Sequence, residues 1–202
     1  MAELESGCGA VITYSGMSAV AVVTQLLSHG DVLLAPHDCY GGCHRLFAGA
    51  SRRAGFEVVF AYQSSHEAIA VARDLVPRII WLETPSNPLL RVTDISAWSR
   101  VAEDVGAICV VDNTFLSPVN QRPLELGADL VVHSTTKFLN GHSDVVGSAV
   151  VSKWPELLEQ LAWWADCLGV TGGPVRFLSD TPGRSYAPGT VTRPRGERAR
   201  GR

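Results

Sequence analysis

Short apolar runs, separated by stretches of helical periodicity, organise the first three quarters of the chain. Seven runs read as strands: residues 10–14, 32–35, 57–62, 78–83, 107–112, 130–133 and 147–152. Several are continuous and rich in Val and Ile, the pattern of strands buried on both faces. Helical patterns lie between them. Residues 17–27 are apolar and stop at His29-Gly30, and residues 42–54 set Leu46, Phe47 and Ala50 at helical spacing. Residues 94–105 open on an N-cap type of residue, Asp94 or Ser96, and residues 154–168 carry Pro155 in the first turn. This alternation predicts an α/β fold, a mostly parallel seven-stranded sheet flanked by helices. Such sheets bind ligands at the carboxyl ends of their strands, and the polar clusters of this chain fall at those ends.

The cluster His133-Ser134-Thr135-Thr136-Lys137 ends the apolar run Leu130-Val131-Val132. A partly desolvated lysine is a usable nucleophile near neutral pH, and the hydroxyls of Ser134 and Thr136 suit a phosphate. An amine beside a phosphate site is the pairing that pyridoxal 5'-phosphate (PLP) requires; a surface lysine at a strand end is the plain alternative. Residues 13–19 join the first strand to the first helix, with Gly16 allowing a tight turn. The amides of Gly16 and Met17 would then face an anion at a helix N-terminus, or Ser15 is an ordinary N-cap. The segment is neither a Walker loop nor a GxGxxG fingerprint. Asp112 ends an apolar run, where an unpaired carboxylate is costly to bury. It awaits a cation such as a protonated pyridine nitrogen, or it caps the turn with Asn113 and Thr114. Tyr40 stands beside Gly41 and Gly42, where its ring can lie flat on a planar group or belong to an ordinary loop. Pro85 and Pro88 frame a rigid turn that aims Asn87 inward, toward a cofactor oxygen. The six histidines show no metal-binding spacing, so no metal is expected, and His133 and His142 read as structural or supporting residues.

With 202 residues, 46% hydrophobic and 18% charged, the chain can bury a substantial core. No apolar run reaches the ~18 residues of a membrane span and no signal peptide opens the sequence, so a cytoplasmic protein without membrane partners is expected. The five cysteines lack paired metal-type spacing and read as reduced, mostly buried thiols. The net charge of −3 is uneven: seven arginines against Asp180 and Glu197 give residues 176–202 a charge of +5, leaving −8 on the rest. Residues 175–202, rich in Arg, Gly and Pro, read as a disordered tail. Without interleaved aromatics, that tail does not point to nucleic acid.

The motifs SGMSA at 15–19, DCYGGCHRLF at 38–47, ETPSNPLL at 83–90, VVDNTF at 110–115 and HSTTKFLNGHSDVVGS at 133–148 occur in that order, with Asp112 and Tyr40 standing 25 and 97 residues before Lys137. Together they resemble the cystathionine γ-synthase-like branch of the Cys/Met-metabolism (trans-sulfuration) family of fold-type I PLP enzymes, over residues 2–174. The resemblance implies a PLP-binding large domain at 1–174, with an incomplete N-terminus and no C-terminal small domain. It implies Lys137 as the Schiff-base lysine and proton carrier, and Asp112 as partner of the pyridine nitrogen. Tyr40 would be the stacking ring and a catalytic side chain. Gly16, Met17, Ser134 and Thr136 would form the phosphate cradle, with Asn87 near the phenolic oxygen. The implied reaction replaces the acyl group of an O-acylhomoserine by cysteine to give cystathionine. A cystathionine γ-lyase or an O-acylhomoserine sulfhydrylase is the sister reading, and a non-catalytic remnant is the reading of another class. Family members assemble as homotetramers built from dimers. They also carry a Tyr-x-Arg pair before the region matched here and a carboxylate-binding arginine after it. From Val175 onward the resemblance ends, and the expectation is a truncated copy with a frameshifted or foreign tail.

Overall fold

The apolar runs become seven strands, each within one residue of its expected limits: β1 Gly9–Thr13, β2 Val32–Pro36, β3 Glu57–Ala61, β4 Ile79–Glu83, β5 Ile108–Asp112, β6 Leu130–His133 and β7 Ser148–Ser152. The structure is a computed structural model that describes residues 1–65 and 67–172. The expected boundary at Pro174 and the tail at 175–202 lie outside the described residues. The helices are α1 Ala2–Glu5, α2 Gly16–Thr24, α3 Gly41–Ala54, α4 Glu67–Leu75, α5 Ile95–Val105, α6 Ser117–Asn120 and α7 Pro155–Cys167. The sequence pattern anticipates α2, α3, α5 and α7; α1, α4 and α6 are additions. Asp94 rather than Ser96 caps α5, its Oδ1 accepting from the Ala97 amide at 3.0 Å.

All seven strands form one sheet in the order β1-β7-β6-β5-β4-β2-β3. The pairings β2–β3, β2–β4, β4–β5 and β5–β6 are parallel, whereas β7 runs antiparallel to both β1 and β6. The sheet is thus mostly parallel, with one reversed strand. The reversal follows from the connection: residues 134–147 leave β6 and re-enter the sheet at the same end, without a crossover helix. That return loop carries Lys137. The ends of β1, β2, β4, β5 and β6 and the start of β7 therefore share one edge of the sheet.

Alternate residues of each strand feed two cores. Leu33, Ala35, Ile79, Trp81, Val110, Leu130 and Val132 pack with residues of α2, α3 and α7. Leu34, Ile80, Leu82, Cys109, Val111 and Val131 pack with residues of α4 and α5. Cover on both faces leaves the strand ends as the place where polar groups can gather. Cys39, Cys43 and Cys109 are buried, Cys8 is half-buried and Cys167 is exposed, all as free thiols. Among the described residues, no helix is long and apolar enough to cross a membrane.

Candidate active site

A cavity of about 850 Å³ opens at the shared edge, and all eight residues singled out in the sequence line it: Gly16, Met17, Tyr40, Asn87, Asp112, Ser134, Thr136 and Lys137. They arrive from five separate segments of chain. Packing of the two cores, rather than proximity in sequence, brings them together.

On one wall, Ser15 has an extended backbone and its Oγ accepts from the Ser18 amide at 3.2 Å, so the N-cap reading holds. It does not exclude the anion reading, because the first-turn amides of Gly16 and Met17 lie at the open end of the helix dipole. Gly16 is required by the close approach to the β6 end: an added Cβ would lie 2.9 Å from Ser134 Cβ. The Ser134 amide donates to Thr114 Oγ1 at 2.9 Å, and its hydroxyl makes no hydrogen bond among the described residues. The Thr136 hydroxyl is already engaged by Gly147, donating to the carbonyl at 3.1 Å and accepting from the amide at 3.0 Å. It faces the cavity with reduced hydrogen-bonding capacity. Lys137 lies on the following turn, with its amide donating to Ser134 O at 3.2 Å and its carbonyl accepting from Gly141 at 2.8 Å. Its ammonium takes part in none of the salt bridges among the described residues.

Across the cavity, Asp112 Oδ1 accepts from the Thr114 amide at 3.0 Å, the turn-capping contact expected as one alternative. No lysine or arginine pairs with this carboxyl among the described residues. Burial accordingly pushes its pKa above the ordinary carboxylate value, while the Thr114 contacts and the nearby His133 pull it back. An acid in this state is suited to an incoming cation.

Two contributors escape sequence reasoning. Glu83, at the end of β4, is buried, and its Oε2 and Oε1 accept from the Tyr40 and Asn87 amides, each at 2.8 Å. One carboxylate thereby holds both loops that present Tyr40 and Asn87. Burial and the neighbouring Asp112 charge push its pKa up to about 8, against the pull of the two amides. The available signal was the same as for Asp112, an acid ending the buried run Ile79-Ile80-Trp81-Leu82. Gly42 is the second. A Cβ there would lie 2.5 Å from Tyr40 Cε1 and 2.8 Å from Met17 Sδ, so its bareness lets the ring turn back over the helix end. The Tyr40 ring stays half-exposed at the cavity wall.

This donor set fits PLP group by group. First-turn amides and the Ser134 hydroxyl suit a phosphate, an acid without a cationic partner suits a pyridinium, Tyr40 offers a flat face, and Lys137 an amine. Comparisons agree with that chemistry. The family described as "Cys/Met metabolism PLP-dependent enzyme" matches residues 1–178. Cystathionine gamma-synthase of Escherichia coli (strain K12) is 55% identical over 174 residues, covering 86% of this chain and 45% of that protein. Cystathionine gamma-lyase of Bacillus subtilis (strain 168) is 42% identical, covering 85% of this chain and 45% of that protein. The solved structure of cystathionine gamma synthase from Xanthomonas oryzae pv. oryzae, in complex with cystathionine, superposes with a TM-score of 0.86 at 52% identity, covering 88% of this chain and 46% of that one. The chain thus spans about half the length of the curated relatives it matches.

Proposed function

The chain belongs to the Cys/Met metabolism PLP-dependent enzyme family, and within it we propose a trans-sulfuration role of the cystathionine γ-synthase type, with PLP held at Lys137. The observation that carries this reading is the convergence of eight residues from five segments on one cavity. Lys137 would hold the cofactor through its Nζ and would serve as the base that moves protons along the substrate carbons. The Asp112 carboxylate would keep a proton on the pyridine nitrogen. Tyr40 would stack on the ring, Gly16, Met17, Ser134 and Thr136 would hold the phosphate, and Asn87 would donate toward the phenolic oxygen. When bound, the ring withdraws electrons from the substrate's α-carbon and so permits elimination and addition further along the chain. An O-acylhomoserine then loses its acyloxy group as a carboxylate, and cysteine sulfur takes its place to give cystathionine.

The synthase reading draws support from the higher identity to a cystathionine gamma-synthase than to the gamma-lyase or to the cystathionine beta-lyase of Coxiella burnetii, at 55%, 42% and 40%. The lyase and sulfhydrylase readings share Lys137 and Asp112 and differ in substrate contacts. Residues 1–174 are the proposed cofactor-binding domain of a cytoplasmic enzyme that assembles from like subunits.

The test is absorbance between roughly 300 and 500 nm of the chain with PLP, beside Lys137→Ala. A borohydride-reducible band in the parent alone supports the assignment; no band in folded parent protein overturns it. Supplying an O-acylhomoserine with cysteine, and separately cystathionine, distinguishes the reactions. Net formation of cystathionine supports the synthase, its cleavage alone supports a lyase, and neither in a PLP-loaded chain supports a binding protein without catalysis.

A further inference from the structure

Glu5 is fully buried, on the four-residue helix α1 and far in sequence from the cavity. Burying a carboxylate is expensive unless it is hydrogen-bonded. Here Oε1 takes both bonds, accepting from Asn113 Nδ2 at 2.9 Å and meeting His133 Nε2 at 2.6 Å. Both partners are themselves fully buried. Glu5 Oε2 and His133 Nδ1 have no hydrogen-bond partner among the described residues.

The identity of the partners gives this acid its meaning. Asn113 directly follows Asp112, and His133 directly precedes Ser134 and the turn of Lys137. The Asn113 amide donates to Val132 O at 3.0 Å, so the ends of β5 and β6 already touch. Gln121 closes the network, accepting from Asn113 Nδ2 at its carbonyl and donating from Nε2 to Asn113 Oδ1. We propose that Glu5 is a positioning residue of the cofactor pocket. Its single oxygen pins the ends of β5 and β6 together, and with them Asp112 and Lys137. A plain tether for the first helix would need only one such bond; this one spans the two strands that deliver the acid and the amine. The effect on cofactor affinity rests on the PLP reading, but the pinning itself does not.

The experiment uses the whole 202-residue chain and the variants Glu5→Ala and Glu5→Gln. Backbone hydrogen exchange, read by mass spectrometry without cofactor, reports on local opening. Glu5→Ala is expected to speed exchange about tenfold or more at residues 113–114 and 134–137, while β2 and β3 stay within about twofold. Glu5→Gln retains an acceptor oxygen and is expected to restore most of the protection. If Glu5→Ala does not fold, Asn113→Ala removes one bond only and is expected to loosen the β5 end ahead of the β6 end. Exchange that rises evenly across the sheet, or is unchanged at both ends, overturns the proposal. In the second arm, the PLP dissociation constant should rise about tenfold in Glu5→Ala and recover in Glu5→Gln. Absence of any PLP band in the parent removes the cofactor reading, and the exchange comparison still decides the positioning role.

Discussion

Glu83 and Asp112 face each other in register at the ends of the adjacent parallel strands β4 and β5, and they have been put to different uses. The Glu83 carboxylate is spent on the protein, with each oxygen accepting one backbone amide from a different loop. Among the described residues Asp112 accepts from Thr114 alone, and it keeps acceptor capacity toward the cavity. Burial raises the pKa of both. The difference lies in the local supply of donors. Where two loops fold back over a strand end, the acid becomes a clamp; where only a turn follows, it stays available to a ligand.

Breaking the clamp should show most clearly in stability. Glu83→Ala strands two amides and is expected to cost about 3 kcal/mol in urea unfolding at pH 7, whereas Asp112→Ala is expected to cost less than about 1 kcal/mol. Equal losses would mean the two acids are not differently employed. Cofactor affinity should rank them the other way. On the proposed role, Asp112→Ala would remove a charge-assisted contact with the pyridinium and should weaken PLP binding by roughly 10- to 100-fold in a fluorescence titration.

A pH titration sharpens the contrast. The folded Glu83 carboxyl sits at about 8, above its ordinary value of 4.5. Between those values the folded state binds more protons than the unfolded one. Stability is therefore greatest below about pH 4.5, as far as this group decides it, and declines as pH rises toward 8. Glu83→Gln should flatten that decline by roughly 3 kcal/mol between pH 5 and 8, read from urea midpoints. Asp112, also raised, acts in the same direction, so a parent slope that steepens in Glu83→Gln would contradict the assignment. The smallest effect belongs to an exposed control. Lys153→Ala should change stability by less than about 0.5 kcal/mol and leave PLP binding as it was.

The strands were legible because buried parallel strands must be continuously apolar, and each apolar run of Val, Ile and Leu had no other use. The direction of β7 was not, since nothing in Ser148–Ser152 says from which side the chain re-enters. Helix α4 escaped because its buried residues are only Ala68 and Ala72, too small to make a conspicuous apolar stripe. In the candidate site, the residues that line the cavity are marked by local chemistry: a lysine after a strand, a glycine in a strand–helix turn, an acid after Val110-Val111. Residues that hold those groups in place carry no such mark. Glu83 meets Tyr40 from 43 positions away and Glu5 meets His133 from 128 positions away, so their roles exist only in the folded chain. Thr136 shows the reverse case, a hydroxyl whose neighbour Gly147 claims much of its capacity.

The chain supplies its own internal comparison for the central claim, because it contains two lysines, Lys137 and Lys153. Lys137 follows β6 and lines the cavity. Lys153 follows the reversed strand β7, which places it at the opposite edge of the sheet, exposed, with its Nζ 5.2 Å from the centre of the Trp154 ring. Borohydride reduction of the PLP-treated chain, followed by peptide mapping, reads which amine the cofactor has taken. The account predicts a pyridoxyl group on Lys137 at near-stoichiometric yield, with Lys153 and the N-terminus essentially unlabelled. A label shared among the amines, or concentrated on Lys153, would contradict it.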